Sequence, residues 1–462
     1  MILTIIPGQI RDFPQDEWDR FQELINIYNK NRPKNVLKER YYDGAIRLAD
    51  VNLGIALPDN MGGLEIGCEW GTKTVDVLAS RSRFDGFVGL DGADVAELEG
   101  IAKKNNLILE YSKACKDELK FGCTFCTVGK AENGVKIRFH SPKTAAARWS
   151  GEKGRIDCGF AIIDTVPDNE TELTWSPSLI YYYTDSAVWV IKKTDAGSWY
   201  AQEYPHKMGR PLMEALVYDA TSNKPFGRGR LKFPIRNFIN SFVRTVANAT
   251  IGLEFATSPQ KYILGASEKM VKTIISDKFK QYVGSIIAAT DNPETGNRPD
   301  FGQLAQGSIT PHVEMLRLLA TQFSAATGLS ITDTGVINDA NPSSSDAILA
   351  QSQTLVAYAE QLNEGNGQAL TTIALMSLAI YNNTSLDGLS EEQKAIAPHF
   401  KNAAMPSLAI TTDAAIKIAS AREGFAETDT FLEMIGFDQA EIRRIKAQEA
   451  LARGLAVFGE IE

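Results

Sequence analysis

Pro234-Ile-Arg-Asn-Phe-Ile-Asn-Ser-Phe-Val-Arg-Thr-Val-Ala-Asn-Ala-Thr-Ile-Gly-Leu-Glu-Phe-Ala-Thr257 decides the fold class. Ile235, Phe238, Ile239, Phe242, Val246 and Ala249 recur at helical spacing, Pro234 suits a first helical position, and Ser258-Pro259 stops the run. At 1.5 Å per residue this is a rod of roughly 36 Å. A second rod follows, with Thr310 as N-cap, Pro311 at the first position, Val313, Leu316, Leu319, Ala320 and Phe323 inward, and Gly328 as the stop. Between them, residues 259–308 mix a strand-like Tyr262-Ile263-Leu264 with a turn-dense tip from Asp291 to Asp300. Pro293 and Thr295 stand in that tip where a calcium loop would need oxygen donors.

Downstream of the rods, Leu329 to Pro342 is a loop too long for mere connection, which marks it as functional. Ser343-Ser-Ser-Asp346 then caps a long helix with the stripe Ile348, Leu355, Ala359 and Leu362, expected to break at Gly365 and Gly367 and to end near Tyr381. The C-terminal part is helical again, with starts at Thr412-Asp413 and Asp438. Upstream, Trp18, Phe21, Leu24, Ile25 and Tyr28 make an amphipathic helix over residues 15–31 that Pro33 should end. A second helix should run from Asp94, with Glu97 as capping partner, to about residue 119, with Leu98, Ile101, Asn105 and Ile108 on one stripe. Between about 120 and 220 the period falls to two, predicting strands at Phe121–Val128, Val135–His140, Leu179–Tyr183 and Ala187–Lys192. Tyr181, Tyr182 and Tyr183 with Trp189 and Trp199 read as cross-strand packing before they read as a base-stacking platform.

With 462 residues, 44% hydrophobic and 23% charged, the chain should form two or more subdomains. A formal net charge of −9 argues against holding nucleic acid by an overall basic surface. The N-terminal Met1 to Pro7 lacks a basic flank and a cleavage site, so a cytosolic protein is expected. Its five cysteines fit reduced thiols, and Cys123-Thr-Phe-Cys126 reads as part of a buried strand. The uncharged stretch Gly365 to Leu386 carries Asn366, Gln368, Thr371, Thr372, Asn382 and Asn383, which suits a buried helix and not a membrane span. No phosphate-binding glycine loop, HExxH or GxSxG occurs, and His140, His206, His312 and His399 lie far apart, so no enzyme activity, metal or cofactor is expected.

The charge map is uneven. No lysine or arginine occurs between Arg317 and Lys394, while Asp333, Asp339, Asp346, Glu360, Glu364, Asp387, Glu391 and Glu392 do. Just before the first rod, Lys224, Arg228, Arg230, Lys232 and Arg236 come with no acid among them, against the preference of a helix N-terminus, which invites an anionic partner.

Several strings, in order, resemble the portal proteins of long-tailed phages of the siphovirus type, in the group called gp6-like portals. They are Tyr41-Tyr-Asp-Gly44, Trp70-Gly-Thr-Lys-Thr-Val-Asp-Val-Leu-Ala79, Asp85-Gly-Phe87, Lys120-Phe-Gly-Cys-Thr-Phe125 and Phe139-His-Ser-Pro142. The best stretch is Gly227 to Gly265, ending in Ser258-Pro-Gln-Lys-Tyr-Ile-Leu-Gly265; Ala414-Ala-Ile-Lys417, Leu432-Glu-Met-Ile-Gly436 and Asp438 to Ile445 are similar to the closing helices. The chain departs at Gly227-Arg-Gly-Arg230, where relatives tend to carry Gly-x-Ser followed by an acid.

The resemblance implies an α+β, mainly α portal fold: a wing with a β-rich part at 1–230, stem helices at 231–258 and 309–328, and a small α/β clip at 259–308. A tunnel loop at 329–342, a long wing helix at 343–385 and a crown with C-terminal helices at 386–462 complete it. It further implies a ring, commonly of twelve subunits, at one capsid vertex of the virion, assembled in the host cytoplasm without membrane contact. Double-stranded DNA would pass through it in packaging and ejection. The terminase large subunit, then a head-tail adaptor, would dock on the clip, represented here by Asp291, Glu294, Arg298 and Asp300, while major capsid and scaffolding proteins surround the ring. Thr332, Asp333, Thr334, Asn338, Asp339 and Asn341 would line the tunnel, and Arg228, Arg230, Lys232 and Arg236 would contact phosphate or a neighbouring subunit. A conduit must not grip, because each phosphate neutralised adds affinity that has to be broken at every step. A head-completion or minor capsid protein that conducts no DNA is the alternative.

Overall fold

The computed structural model describes residues 10–45, 66–90, 95–132, 134–167, 175–194, 197–257, 261–265, 272, 296, 300–303, 308–335, 345–404, 408–437 and 439–459. After a two-residue strand β1 (Ile10–Arg11), helix α1 spans Gln15–Tyr42 and buries Trp18, Phe21, Leu24, Ile25 and Tyr28. Pro33 does not end it. A proline inside a helix loses one N–H and crowds a carbonyl, at about 3 kcal/mol. The half beyond Pro33 is fastened from outside: Lys38 Nζ donates to the Phe121 carbonyl at 2.7 Å, Tyr41 hydroxyl to Asn240 at 2.8 Å, Tyr42 hydroxyl to Asp76 at 2.9 Å, and Lys143 pairs with Glu39.

Helix α2 (Trp70–Ala79) and strand β2 (Phe84–Gly89) come next, then two helices where one was expected, α3 (Ala96–Lys104) and α4 (Leu107–Phe121). Asn106 adopts a left-handed φ of 49° and breaks them apart. The break lets the buried Asn105 side chain donate to the Val135 carbonyl at 2.9 Å and accept from the Ile137 N–H at 3.0 Å. In consequence Ile108, expected inside, is exposed, and Leu107 and Tyr111 are buried in its place.

The β-rich segment comprises β3 (Cys123–Ala131), β4 (Gly134–His140), β5 (Ala145–Ser150), β6 (Arg155–Pro167), β7 (Trp175–Tyr183), β8 (Ala187–Lys193), β9 (Trp199–Pro205) and β10 (Met213–Val217). Strands β5 to β9 form an antiparallel meander, and β1 joins β9 in parallel at its edge. One face carries Phe160, Ile162, Ile180, Tyr182, Trp189, Ile191, Trp199 and Ala201 into a core with α1. Phe21 meets the rings of Phe160 and Tyr182 at 5.7 and 5.4 Å, so Tyr182, Trp189 and Trp199 are packing residues. Strands β10, β3 and β4 make a second antiparallel sheet, in which both CxxC thiols are buried. Burial pushes the Cys123 thiol up to about 12 and raises that of Cys126.

Helix α5 (Phe233–Thr257), the hairpin strands β11 (Lys261–Leu264) and β12 (Asp300–Gln303), and helix α6 (Thr310–Thr327) follow. On α5 the buried row is Ile235, Ile239, Val243, Ala247 and Ile251, a strict i, i+4 ridge, with the expected Phe238, Phe242, Val246 and Ala249 half-buried beside it. Helix α7 (Ser345–Tyr381) runs unbroken through Gly365 and Gly367. Its second half, with Leu370, Ile373, Ala374, Met376, Leu378 and Ala379 buried, is held by the core and outweighs two glycines at about 1 kcal/mol each. No described helix is long and apolar enough to cross a membrane.

After the short α8 (Glu391–Lys394), strand β13 (Ile396–Phe400) pairs antiparallel with β2, and the first compact unit extends to Phe400. The second unit, from Lys401, contains α9 (Leu408–Ala421), α10 (Asp429–Met434) and α11 (Gln439–Gly459). Thr428 caps α10, its hydroxyl accepting from the Phe431 N–H. The described residues form a mixed fold of helices and mainly antiparallel sheets, richer in strands than expected because β5, β6, β9 and β10 add to the sheets.

Candidate functional site

Of the residues singled out from sequence, the cations before α5 and the described part of the loop after α6 lie where α5 begins and α6 ends. The strand-to-helix connection before α5 passes close under α4: a Cβ at Gly229 would lie 2.1 Å from the Lys120 carbonyl oxygen. Only glycine allows that approach, and it brings the Arg230 N–H to the Leu119 carbonyl at 2.7 Å. The Arg230 side chain is then 6% exposed; it donates to the Tyr218 hydroxyl at 3.1 Å and to the Thr327 carbonyl, and lies over the Tyr358 ring at 5.8 Å. Thr327 is the last residue of α6, so the guanidinium neutralises the carbonyl end of one rod beside the start of the other. That contact also fixes α5 and α6 as antiparallel.

The other cations divide. Lys232 pairs with Asp219 at 2.7 Å, Arg236 lies over Tyr41 at 5.6 Å, and Arg228 is exposed. Arg230 therefore leaves the group that can face a ligand; its charge is used inside the subunit.

Trp70, the first residue of α2, is the wedge between the rods. Its ring lies 4.5 Å from Phe242 of α5 and 4.5 Å from Phe323 of α6. Its indole N–H donates to the Thr334 carbonyl at 3.1 Å. The root of the 329–342 loop is thereby fixed. Ser330 donates its hydroxyl to Asp333 at 2.7 Å and its N–H at 3.1 Å, closing a short turn that leaves Thr332 exposed, Asp333 half-buried and Thr334 buried. Asn338, Asp339 and Asn341 lie outside the described residues, as do Asp291, Glu294 and Arg298 of the expected clip. Asp300 is described, exposed, at the start of β12 and paired with Leu264.

Sequence reading passed over Trp70 as part of a string. The signal was Gly71 beside it: a Cβ there would sit 1.9 Å from the Tyr41 carbonyl, so α2 must begin hard against the end of α1. It also missed a buried polar chain behind the root. Asn366 of α7 donates to Glu118 at 2.8 Å and to the Tyr111 hydroxyl at 3.0 Å; Tyr111 is 2.7 Å from the Ser82 hydroxyl, which donates to Asn363 at 2.6 Å. Burial pushes the Glu118 carboxyl up to about 8, tempered by the Asn366 bond, so it is mostly protonated at neutral pH. Lys38, desolvated nearby, falls to about 8. Among the described residues no group of three or more His, Cys, Asp or Glu side chains is placed to hold a metal ion.

No family model matches the chain, and no curated protein matches it. Among solved structures, it is similar to a chain in the virion of a native gene transfer agent particle, at 11% identity and TM-score 0.49, covering 87% of this chain and 93% of that one. It is also similar to a chain in the neck of the native particle in C12 symmetry, at 12% identity and TM-score 0.45, covering 80% and 89%. A chain in the neck of the empty particle in C6 symmetry gives 12% identity and TM-score 0.48, covering 87% and 93%.

Proposed function

We propose that this chain is a portal subunit: a structural, non-catalytic protein that closes into a ring at a capsid vertex and passes double-stranded DNA through its axis. The observation that carries the reading is a set of apolar side chains on the rod pair that no described residue covers: Leu253, Val313, Met315 and Leu318 are 45, 43, 42 and 51% exposed. At 100° per residue the three on α6 spread round the helix, so one partner helix cannot cover them. Neighbours on more than one side can, as in a ring of copies.

The ordered strings from Tyr41 to Ile445 and the cation-free run after Arg317 support the same reading. In a ring every side chain is multiplied by the number of copies. A loop rooted in Ser330, Thr332 and Asp333 would then offer polar groups without a cationic girdle, letting DNA slide on weak or water-mediated contacts. Capsid, terminase and tail partners belong to this proposal.

Negative-stain images of the purified full chain test it, with an axial hole as the expected result. A ring that assembles with no hole, or particles that package DNA normally without the chain, would leave the head-completion reading in its place.

A further inference from the structure

The six-stranded sheet has a second face. Opposite α1, its strands present Tyr181, Tyr183, Val188, Val190 and Tyr204 into an open groove of about 1770 Å³, well beyond the roughly 300–1,000 Å³ of a small-molecule pocket. The facing wall comes from strands β3 and β4 of the second sheet. Lys136 and Arg138 point from β4 with a period of two, Lys130 stands on β3, and Lys104 and Lys207 close the rim. All five are exposed, none has an ion pair among the described residues, and Glu132 is the one acid in the described lining. In a chain of net charge −9 this is a local reversal of sign.

The occupant should be acidic and partly apolar, and the same chain carries such a segment. No lysine or arginine lies between Arg155 and Lys192, and the residues joining β6 to β7 include Asp168, Glu170 and Glu172, acids with the same period of two as the cations of β4. At the base of that hairpin Trp175 is 50% and Val166 41% exposed. A single-stranded nucleic acid fits less well, because Tyr183 is buried and meets Tyr181 edge-on at 6.5 Å, which leaves Tyr204 as the one exposed tyrosine in the described lining and not a row of rings for successive bases.

The geometry points to a contact between copies in which the β6–β7 hairpin of one subunit enters the β4/β7–β8 groove of the next, its acids complementary in charge to Lys136 and Arg138 and Trp175 set against the floor of tyrosines and valines. Such a head-to-tail contact uses two different patches per copy and closes into a ring when the rotation per step allows. The inference rests on the self-association in the ring reading and not on DNA conduction.

Charge reversal tests it on the full chain, with assembly followed by light scattering and fold by circular dichroism. The groove variant K136E/R138E and the hairpin variant D168K/E170K/E172K should each raise the concentration for half-assembly by about tenfold or more. Mixed one to one, they should assemble again, since every contact between alternating copies is then complementary. The mixture distinguishes contact between copies from a hairpin folding onto its own groove, which mixing cannot repair. Folded variants that each assemble like the unmodified chain, or a mixture that stays apart, overturn the inference while the ring reading stands. Loss of oligonucleotide binding in K136E/R138E with assembly unchanged also overturns it. An unmodified chain that remains monomeric sinks the ring reading itself.

Discussion

The α5–α6 rod pair carries two sets of similar apolar residues that end in opposite states. In one, Trp70 fills the space between Phe242 and Phe323, Arg230 covers the carbonyl terminus of α6, and Leu319, Ala320 and Phe323 are buried. In the other, Leu253, Val313, Met315 and Leu318 remain open to solvent, Leu318 directly beside the buried Leu319. Apolar spacing is therefore not what separates them. The buried set has α2, α4 and the Gly229 connection laid against it, whereas no described residue covers the open set. In the ring proposed above, a neighbouring copy would cover it.

The largest test of that contrast is Trp70→Ala, which empties the wedge and frees the Thr334 carbonyl. Loss of a buried aromatic ring of this size should cost about 3–5 kcal/mol in urea unfolding of the isolated subunit. A loss below about 1 kcal/mol would mean the rods hold together without the wedge. Arg230→Met should cost about 1–3 kcal/mol, since it leaves the Thr327 carbonyl unpaired in a buried place, while Arg228→Met on the exposed neighbour should change stability by less than about 0.5 kcal/mol. Equal effects from the two would remove the distinction between internal and outward cations.

Glu118 adds a pH test at the root. Its folded pKa is raised above the unfolded value, so the fold holds the extra proton and the stability it contributes is fully present below the unfolded carboxylate range. That stability is lost as pH rises towards about 8. The slope can reach about 1.4 kcal/mol per pH unit. Glu118→Gln should flatten the difference between denaturation midpoints measured at pH 5 and pH 8; an unchanged pH profile would place the charge elsewhere. The smallest effect on the single subunit is expected at the open set. Leu318→Ser should shift its unfolding by less than about 0.5 kcal/mol yet lower ring yield in light scattering, and a large loss of subunit stability would show that this residue is already covered within the chain.

Much of the fold was legible because periodicity reports which face of an element is buried. The rods, the strands at β3, β4, β7 and β8 and the opening helix all stood in the pattern of apolar residues. The misses share one physical cause. Pro33 failed to stop α1, a left-handed Asn106 divided α3 from α4 beside the bonded Asn105, and glycines failed to interrupt α7, because in each case a distant residue supplied a hydrogen bond or a packed surface that local propensity does not count. The candidate site was legible only in part. A run of cations before α5 was visible, but which of them face outward was not.

By itself, then, the sequence determined the long helices, the period of the sheets, the net acidity and the uneven placement of charge, all properties of neighbours along the chain. Tertiary structure alone decided that Arg230 is consumed by Thr327, that Trp70 joins three helices, and that Lys130, Lys136, Arg138, Lys104 and Lys207 share one groove. Those outcomes depend on which surfaces meet between segments far apart along the chain, and a charge or a ring acquires its role only from what it then touches.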